Sequence, residues 1–228
     1  MTVDRLRPLG LPCLIVDDGS DEATVQTLQS LVDGQSWLTL YRQYPNQGKG
    51  VAVLKGIATA RQLGYSHAVQ VDADGQHALE EIPTLLAMAE ATPSALISGA
   101  PVYDDSVPSA RFYGRYITHF WVWVETLSLS IVDSMCGFRV YPVIATDDLA
   151  RVQSIGRRMN FDTDIMVRLY WRGVPIRFLK TRVVYPPQGI SHFAPWADNA
   201  RITHMHVRLV CGMLLRLPIL LWRKFKPV

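Results

Sequence analysis

The sequence predicts an α/β fold: a mostly parallel central sheet flanked by helices, followed by an amphipathic helix at the C-terminal end. Three observations predict it. Short apolar, strand-like runs alternate with helix-length segments from Leu11 to Gly99. Polar clusters, "DDGS", "NQGKG" and "DADGQH", fall at the ends of such runs or at a helix start. The last stretch, "RITHMHVRLVCGMLLRLPILLWRKFKPV", is strongly apolar with a basic end.

In chain order, "LPCLIVDDGSDEATVQTLQSLVDG" reads as strand, turn and helix. Cys13 to Val16 form the apolar run of a strand buried on both faces. Ser20 or Asp21 is placed to cap the helix, and Gly34 to stop it. "WLTLYR" is a second strand, "YPNQGKG" a loop, and a helix follows from about Lys49 to Leu63. "SHAVQV" is a third strand, "ALEEIPTLLAMAEA" a helix and "SALISG" another strand. Arg111 to Ser130 reads as a helix carrying Phe112, Tyr116, Phe120, Trp121 and Trp123. "CGFRVYP" is a short strand or loop, and a helix begins near Asp162 and ends at Gly173. "VPIRFLKTRVVYP" is strand-like. The parallel crossovers are expected to be right-handed.

Composition narrows the function classes. With 228 residues, 49% hydrophobic and 19% charged, the chain is long enough for one sizeable core, and is neither disordered nor wholly embedded in a membrane. A net charge of +3 is too mild to argue for nucleic acid as a partner. Cys13, Cys136 and Cys211 are scattered, with no metal-ligand spacing and no disulfide framework, which suits a reducing cytosol. The first ten residues carry charge and no apolar run, unlike a secretory signal peptide.

The chemistry concentrates at the strand ends, where open α/β sheets bind ligands. Asp72 and Asp74, one residue apart after a strand, repel each other unless something compensates them. Their oxygens suit a hard cation such as Mg²⁺, which completes its shell with substrate phosphates. Gly75 lets the backbone pass close to a ligand, and Gln76 and His77 read as supports. Asp17 and Asp18 end the first visible strand, where an acidic side chain suits nucleoside hydroxyl or N–H donors; capping of the next helix is the competing use. Lys49, between two glycines at a helix start, suits an anion, although the full phosphate-loop pattern is absent.

The ordered set "IVDDGSDE", "NQGKGVAVLKGI", "VQVDADGQH", "CGFRVYP" and "FDTDIMVRLYWRG" resembles family-2 glycosyltransferases of the GT-A fold, nearest to the dolichyl- and polyprenyl-phosphate mannose synthase group. The resemblance runs from about Leu11 to Ser191 and divides the chain into a glycosyltransferase domain over 1–190 and an amphipathic segment over 191–228. It implies a nucleotide-sugar donor, Mg²⁺ or Mn²⁺ at Asp72 and Asp74, and nucleoside contacts from Asp17 or Asp18. "MCGFR" matches a segment near the donor sugar and acceptor, which brings in Arg139 and puts Cys136 where a small hydroxyl residue is usual. "FDTD" implies that Asp162 is the general base of inverting members and sets Asp164 where the mannose-synthase group has a glutamate. "YPPQGISHF" stands where that group has a G-x-S-K segment, so Arg182 and His192 are assigned to the diphosphate, with His192 alternatively a third metal ligand. The family's first strand and its nucleobase loop have no counterpart; "MTVDRLRPLG" reads as the end of the helix after them, as in a truncation or a misassigned start.

Leu209 to Trp222 is apolar except for Arg216, with Pro218 inside, shorter than the ~20 residues of a spanning helix. With Arg208, Arg223, Lys224 and Lys226 it reads as an interfacial helix, with packing against the core or a second copy as the competing use. The expectation is therefore a glycosyltransferase on the cytoplasmic face of the membrane, using a lipid-linked, phosphate or hydroxyl acceptor. The rival readings are a sugar nucleotidyltransferase and a degenerate nucleotide-sugar-binding scaffold.

Overall fold

The computed structural model describes residues 2–102, 109–182 and 194–225. Its strands are β1 (Cys13–Asp18), β2 (Leu38–Gln43), β3 (His67–Gln70), β4 (Leu96–Val102), β5 (Arg139–Pro142) and β6 (Ile176–Arg182). Its helices are α1 (Thr2–Leu6), α2 (Glu22–Val32), α3 (Lys49–Gln62), α4 (Ile82–Ala91), α5 (Ser109–Thr126), α6 (Val143–Val152), α7 (Phe161–Trp171) and α8 (Pro195–Phe225). The α/β alternation read from the sequence is present. Asp21 is the residue that caps α2, its carboxylate accepting from the Thr24 N–H at 2.8 Å.

The strands form two sheets. β1 and β2 pair in parallel, and β3-β5-β4-β6 form a second sheet. That sheet is mixed: β4 and β6 are parallel, whereas β5 runs antiparallel to both β3 and β4. The departure from a mostly parallel sheet comes from "RVYP", which sits between β3 and β4 with all four residues buried. β1 is less buried than its apolar run predicts, because β2 is its only partner strand among the described residues. β1 and β3 do not pair; α3 packs against both.

Two apolar clusters hold these layers. The larger joins α3, α5, α6, α7 and α8 around Phe161, Ile165, Trp171, Leu149 and Val122. The smaller sets Leu85 and Ile82 of α4 against Ile97 and Val140 of the sheet and Phe138 just before β5. α8 is a single 31-residue helix with Pro218 inside it. Met205, Leu209, Met213 and Leu220 turn inward, while Leu214, Leu215, Trp222 and Phe225 stay exposed. The stretch Trp196–Phe225 is long and apolar enough to cross a membrane by length and composition, exceeding the shorter apolar run evident in the sequence.

Candidate functional site

The carboxyl ends of β1 and β3, the start of α3 and the start of α7 converge. Asp18 closes β1 and fixes the loop ahead of α3. Its Oδ1 accepts from Gln43 Nε2 at 2.5 Å and the Gln47 N–H at 2.7 Å, and its Oδ2 accepts from the Gly48 N–H at 2.6 Å. Asn46 Nδ2 donates to the Asp18 carbonyl at 2.7 Å. Gly48 has φ 103°, and a Cβ there would run into the Arg157 carbonyl, so a glycine is required. Asp17 is buried; its Oδ1 accepts from the Ser20 N–H at 3.1 Å, and its Oδ2, 3.6 Å from Arg42 Nε, has no hydrogen-bond partner. The two neighbouring aspartates thus divide their work: Asp18 braces a loop, and Asp17 caps its own turn and pairs with Arg42.

Lys49, the first residue of α3, turns inward. Its Nζ lies 2.7 Å from Asp72 Oδ2 and 2.7 Å from Asp162 Oδ2, tying β3 to α7. Burial pushes the pKa of this amine down, but Asp162 and Asp72 outweigh it and hold the pKa above the ordinary lysine value. Burial likewise pushes Asp72 up, and Lys49, aided by His77, more than reverses this, holding the carboxyl well below the usual carboxylate range. The electrostatic problem posed by the D-A-D segment is therefore answered in part within the protein.

Further residues set this centre. Asp72 Oδ1 accepts from Gln70 Nε2 at 3.0 Å, and Gln70 Oε1 accepts from Tyr141 Oη at 2.9 Å. Arg139, fully buried, donates to the carbonyls of Asp162 and Ser134, each at 2.7 Å. It reaches the site through backbone, with Asp162 Oδ1 3.9 Å from its Nη1 and without a hydrogen-bond partner. His77 is buried, stacks on Phe138 with ring centroids 5.0 Å apart, and places Nε2 3.7 Å from Asp72 Oδ2. A Cβ on Gly137 would collide with Asp72 Oδ2, Lys49 Nζ and Gln70 Nε2 together, so the glycine of "CGFR" is what lets the backbone pass the charges.

The other expected residues fall at varying distance from this centre. Asp74 is exposed on the turn after β3, its Oδ1 accepting from the Gln76 N–H at 3.0 Å. Asp164 is not at the cleft. It is buried, with Oδ1 taken by Arg168 Nε at 2.5 Å and Oδ2 by the Gly156 N–H at 2.8 Å, because its helical offset from Asp162 turns it towards the loop before α7. Arg182 ends β6 in register with Val102 and is exposed. His192 lies outside the described residues. Cys136 is a packed side chain whose thiol burial pushes up to about 11.

Some residues of the centre were missed in the sequence: Gln70 and Tyr141, which carry no signal of their own, and Asp133. Asp133 accepts from the Met135 and Cys136 N–H groups at 2.9 and 2.8 Å and from Arg115 Nε at 2.6 Å, and so shapes the turn leading to Gly137. Burial would raise its pKa, but His119 and Arg115 prevail and keep it well below the usual range. Its position three residues before Cys136 in "DSMCGFR" was the available clue.

Among the described residues no three His, Cys, Asp or Glu side chains converge as a metal-ligand cluster. Asp72 and Asp74 still fit a hard divalent cation of the kind that takes one or two carboxylates and fills its shell with phosphate oxygens and water. Asp72 is held ionised, and Asp74 faces solvent.

A parallel β1–β2 pair lies with a mixed sheet, and carboxylates with one lysine gather at the strand ends of an α/β fold. The chain belongs to Glycosyl transferase family 2, whose sequence profile matches residues 3–143. It is 30% identical over 176 residues to a polyprenol monophosphomannose synthase of Mycolicibacterium smegmatis, covering 71% of this chain and 60% of that protein. It is 27% identical over 173 residues to a dolichyl-phosphate beta-glucosyltransferase of Dictyostelium discoideum, covering 72% and 52%. The matches thus span between half and three fifths of these curated relatives. Glucosyl-3-phosphoglycerate synthase from Mycobacterium tuberculosis, solved with Mn²⁺ and UDP-glucose, shares the fold at a TM-score of 0.62 and 12% identity, over 94% of this chain and 72% of that one.

Proposed function

We propose that this chain transfers a sugar from a nucleotide-diphosphate sugar to a lipid-linked phosphate at a membrane surface. The observation that carries the reading is Asp72: a carboxylate kept ionised by Lys49 at the end of β3, one residue from the exposed Asp74. Family membership and the lipid-phosphate names of two relatives support it. Asp72 and Asp74 would hold Mg²⁺ or Mn²⁺, which supplies charge neutralisation to the departing diphosphate.

The protein's own groups do the rest. Asp17, whose Oδ2 faces Arg42 but accepts no hydrogen bond, is the acceptor for a nucleoside N–H or hydroxyl. Lys49 keeps its proton and presents fixed positive charge beside Asp72, where negative charge grows on the leaving group. Asp162 orients Lys49, its Oδ2 2.7 Å from the Nζ. A phosphate acceptor is already anionic and needs no base, so attack on the anomeric carbon is direct and inverts its configuration. Asp164 positions the loop at Gly156, and Arg182 and His192 remain assigned to the diphosphate. Residues 1–190 form the transferase unit, and α8 lies on the membrane. Cys13, Cys136 and Cys211 are all free, as suits a cytoplasmic face.

Calorimetric titration with UDP and GDP, with and without Mn²⁺, tests this reading. Binding is expected only with metal, and Asp72→Asn and Asp74→Asn should each weaken it by about 2 kcal/mol, roughly 30-fold. Metal-independent binding, or binding indifferent to Asp72, would overturn it. Release of pyrophosphate in place of nucleoside diphosphate during turnover would reassign the chain to nucleotidyl transfer.

A further inference from the structure

Lys49 is flanked by two glycines, and one turn of the chain presses on both. A Cβ on Gly50 would collide with the Gly156 carbonyl and the Phe161 side chain, as one on Gly48 would with the Arg157 carbonyl. The Gly50 N–H donates to that same Arg157 carbonyl at 2.8 Å. The turn at Gly156 and Arg157 therefore grips the backbone on either side of Lys49. We propose that Asp164 is a positioning residue for the donor site: it fixes this turn, and the turn sets where the Lys49 ammonium stands. The inference rests on the donor-site reading above for what Lys49 does, and on contacts alone for what holds it.

The stretch 153–158 is held from several sides, and the holds are unequal. Arg157 Nη2 to Gln47 Oε1 at 2.9 Å, Arg158 Nη1 to Asn46 Oδ1 at 3.2 Å and Arg208 Nη2 to the Ser154 carbonyl at 3.1 Å are exposed bonds. Asp164 is 1% exposed, and its Oδ2 accepts from the Gly156 N–H at 2.8 Å. Its Oδ1 takes Arg168 Nε at 2.5 Å, and Arg168 Nη1 donates to Gln153 Oε1 at 2.8 Å. One buried carboxylate thus ties both ends of residues 153–156 to α7. Bonds to a charged group are the strong ones, and a buried N–H left without its acceptor is costly, so Asp164 outweighs the exposed ties. α7 also carries Asp162, whose Oδ2 lies 2.7 Å from Lys49 Nζ. Residues two apart on a helix point to nearly opposite sides. α7 therefore holds Lys49 twice: Asp162 at the ammonium, and Asp164, through the turn, at the backbone. A long rotatable side chain keeps one position only when both its ends are fixed, and a misplacement of about 1 Å at a reacting centre can cost roughly a hundredfold.

Acylation of Lys49 by acetic anhydride, read by peptide mass spectrometry against the exposed Lys180, follows the position of the lysine without any ligand. Lys49 should be protected in the wild-type chain. Asp164→Asn should raise its acylation rate relative to Lys180 about tenfold. The same variant should raise the Kd for UDP with Mn²⁺ by about tenfold, the lower end of what is typical for groups that orient a metal site through another side chain. Asp164→Asn/Arg168→Met removes the buried charge left behind and guards against misfolding of the single variant; it should release Lys49 in the same way. Met166→Ala, a core truncation on the same helix, should lower the urea midpoint and leave Lys49 protected and UDP affinity unchanged. Lys49 as well protected in the folded Asp164 variants as in the wild type would overturn the proposal. So would Lys49 released with UDP affinity unchanged. Equal release in Met166→Ala would overturn it too, because Asp164 would then act only on general stability. A wild-type chain without Mn²⁺-dependent UDP binding, whose Lys49 is still released by Asp164→Asn, would bring down the donor reading and leave the hold of Asp164 on Lys49 standing.

Discussion

Two of the buried polar clusters among the described residues resolve the same physical problem in opposite ways. At the strand ends, Lys49 sits between Asp72 and Asp162, both at 2.7 Å. Between α5 and α8, Glu125 Oε1 lies 2.6 Å from His206 Nδ1, and Trp171 Nε1 donates to the Glu125 carbonyl at 2.8 Å. In the first cluster, ionic partners outweigh burial and Asp72 is held ionised. In the second, burial is the stronger influence: it pushes the Glu125 carboxyl up, and the bond from His206 offsets only part of this. The first cluster faces a cleft and keeps its charges for a ligand. The second is closed between helices and acts as a polar seam in the packing of α8. Burial of a carboxylate therefore does not by itself mark a functional site; what matters is whether its partners favour the charged form.

The largest effect that sharpens this contrast is expected from Lys49→Met. It leaves Asp72 and Asp162 facing each other across a partly buried gap with no cation between them. Removing one member of such a set costs about 3 kcal/mol, read as a lower urea midpoint with an unchanged slope. Metal-dependent UDP binding should be lost as well. A variant of wild-type stability would show that the Lys49 bridge does not hold β3 to α7.

Gly137→Ala comes next. The added methyl meets Asp72 Oδ2, Lys49 Nζ and Gln70 Nε2, none of which can retreat without losing a hydrogen bond. Overpacking of this kind costs about 1–3 kcal/mol. UDP affinity in the presence of Mn²⁺ should fall too, because the group displaced is Asp72 itself. A stable variant with unchanged affinity would mean that the cluster has slack and that its geometry is not what the site depends on.

The contrast also shows which parts of the molecule were legible in the sequence. The strand ends were, because motif residues lie within a few positions of one another: "DADGQH" and "NQGKG" each announce a strand or helix end with polar residues on it. Their pairings were not. Lys49 reads as an anion binder, and only the fold brings it to carboxylates 23 and 113 residues away. Asp18 likewise reads as a nucleoside contact, yet it is taken up by N–H groups 29 and 30 residues on. Asp21 was read correctly as a capping candidate because the donor it serves is three residues away. The strand β5 was ambiguous, being four residues long and buried throughout, so that no alternation marked it or its direction. In α8 the amphipathic pattern was visible, but both sides of its second half are apolar, and which side meets the domain is decided by α5 and α7.

The smallest effect tests the second cluster. In the folded chain the Glu125 pKa lies above its ordinary value of about 4.3. The fold therefore favours the neutral carboxyl, and the contribution of Glu125 to stability is greatest below about pH 4 and declines as pH rises through the folded value. Asp72 has the opposite sign: its stabilisation is present above the ordinary aspartate value of about 3.9 and is lost as pH falls. Glu125→Gln supplies a neutral side chain of the same shape that can still bond His206. It should match the wild type or be slightly less stable near pH 4 and be relatively more stable at pH 7, in urea titrations run across that range. UDP binding should not change. If the variant were instead destabilised most at pH 7, the ionised carboxylate would be the form that holds α8 against α5, and the two clusters would share one logic.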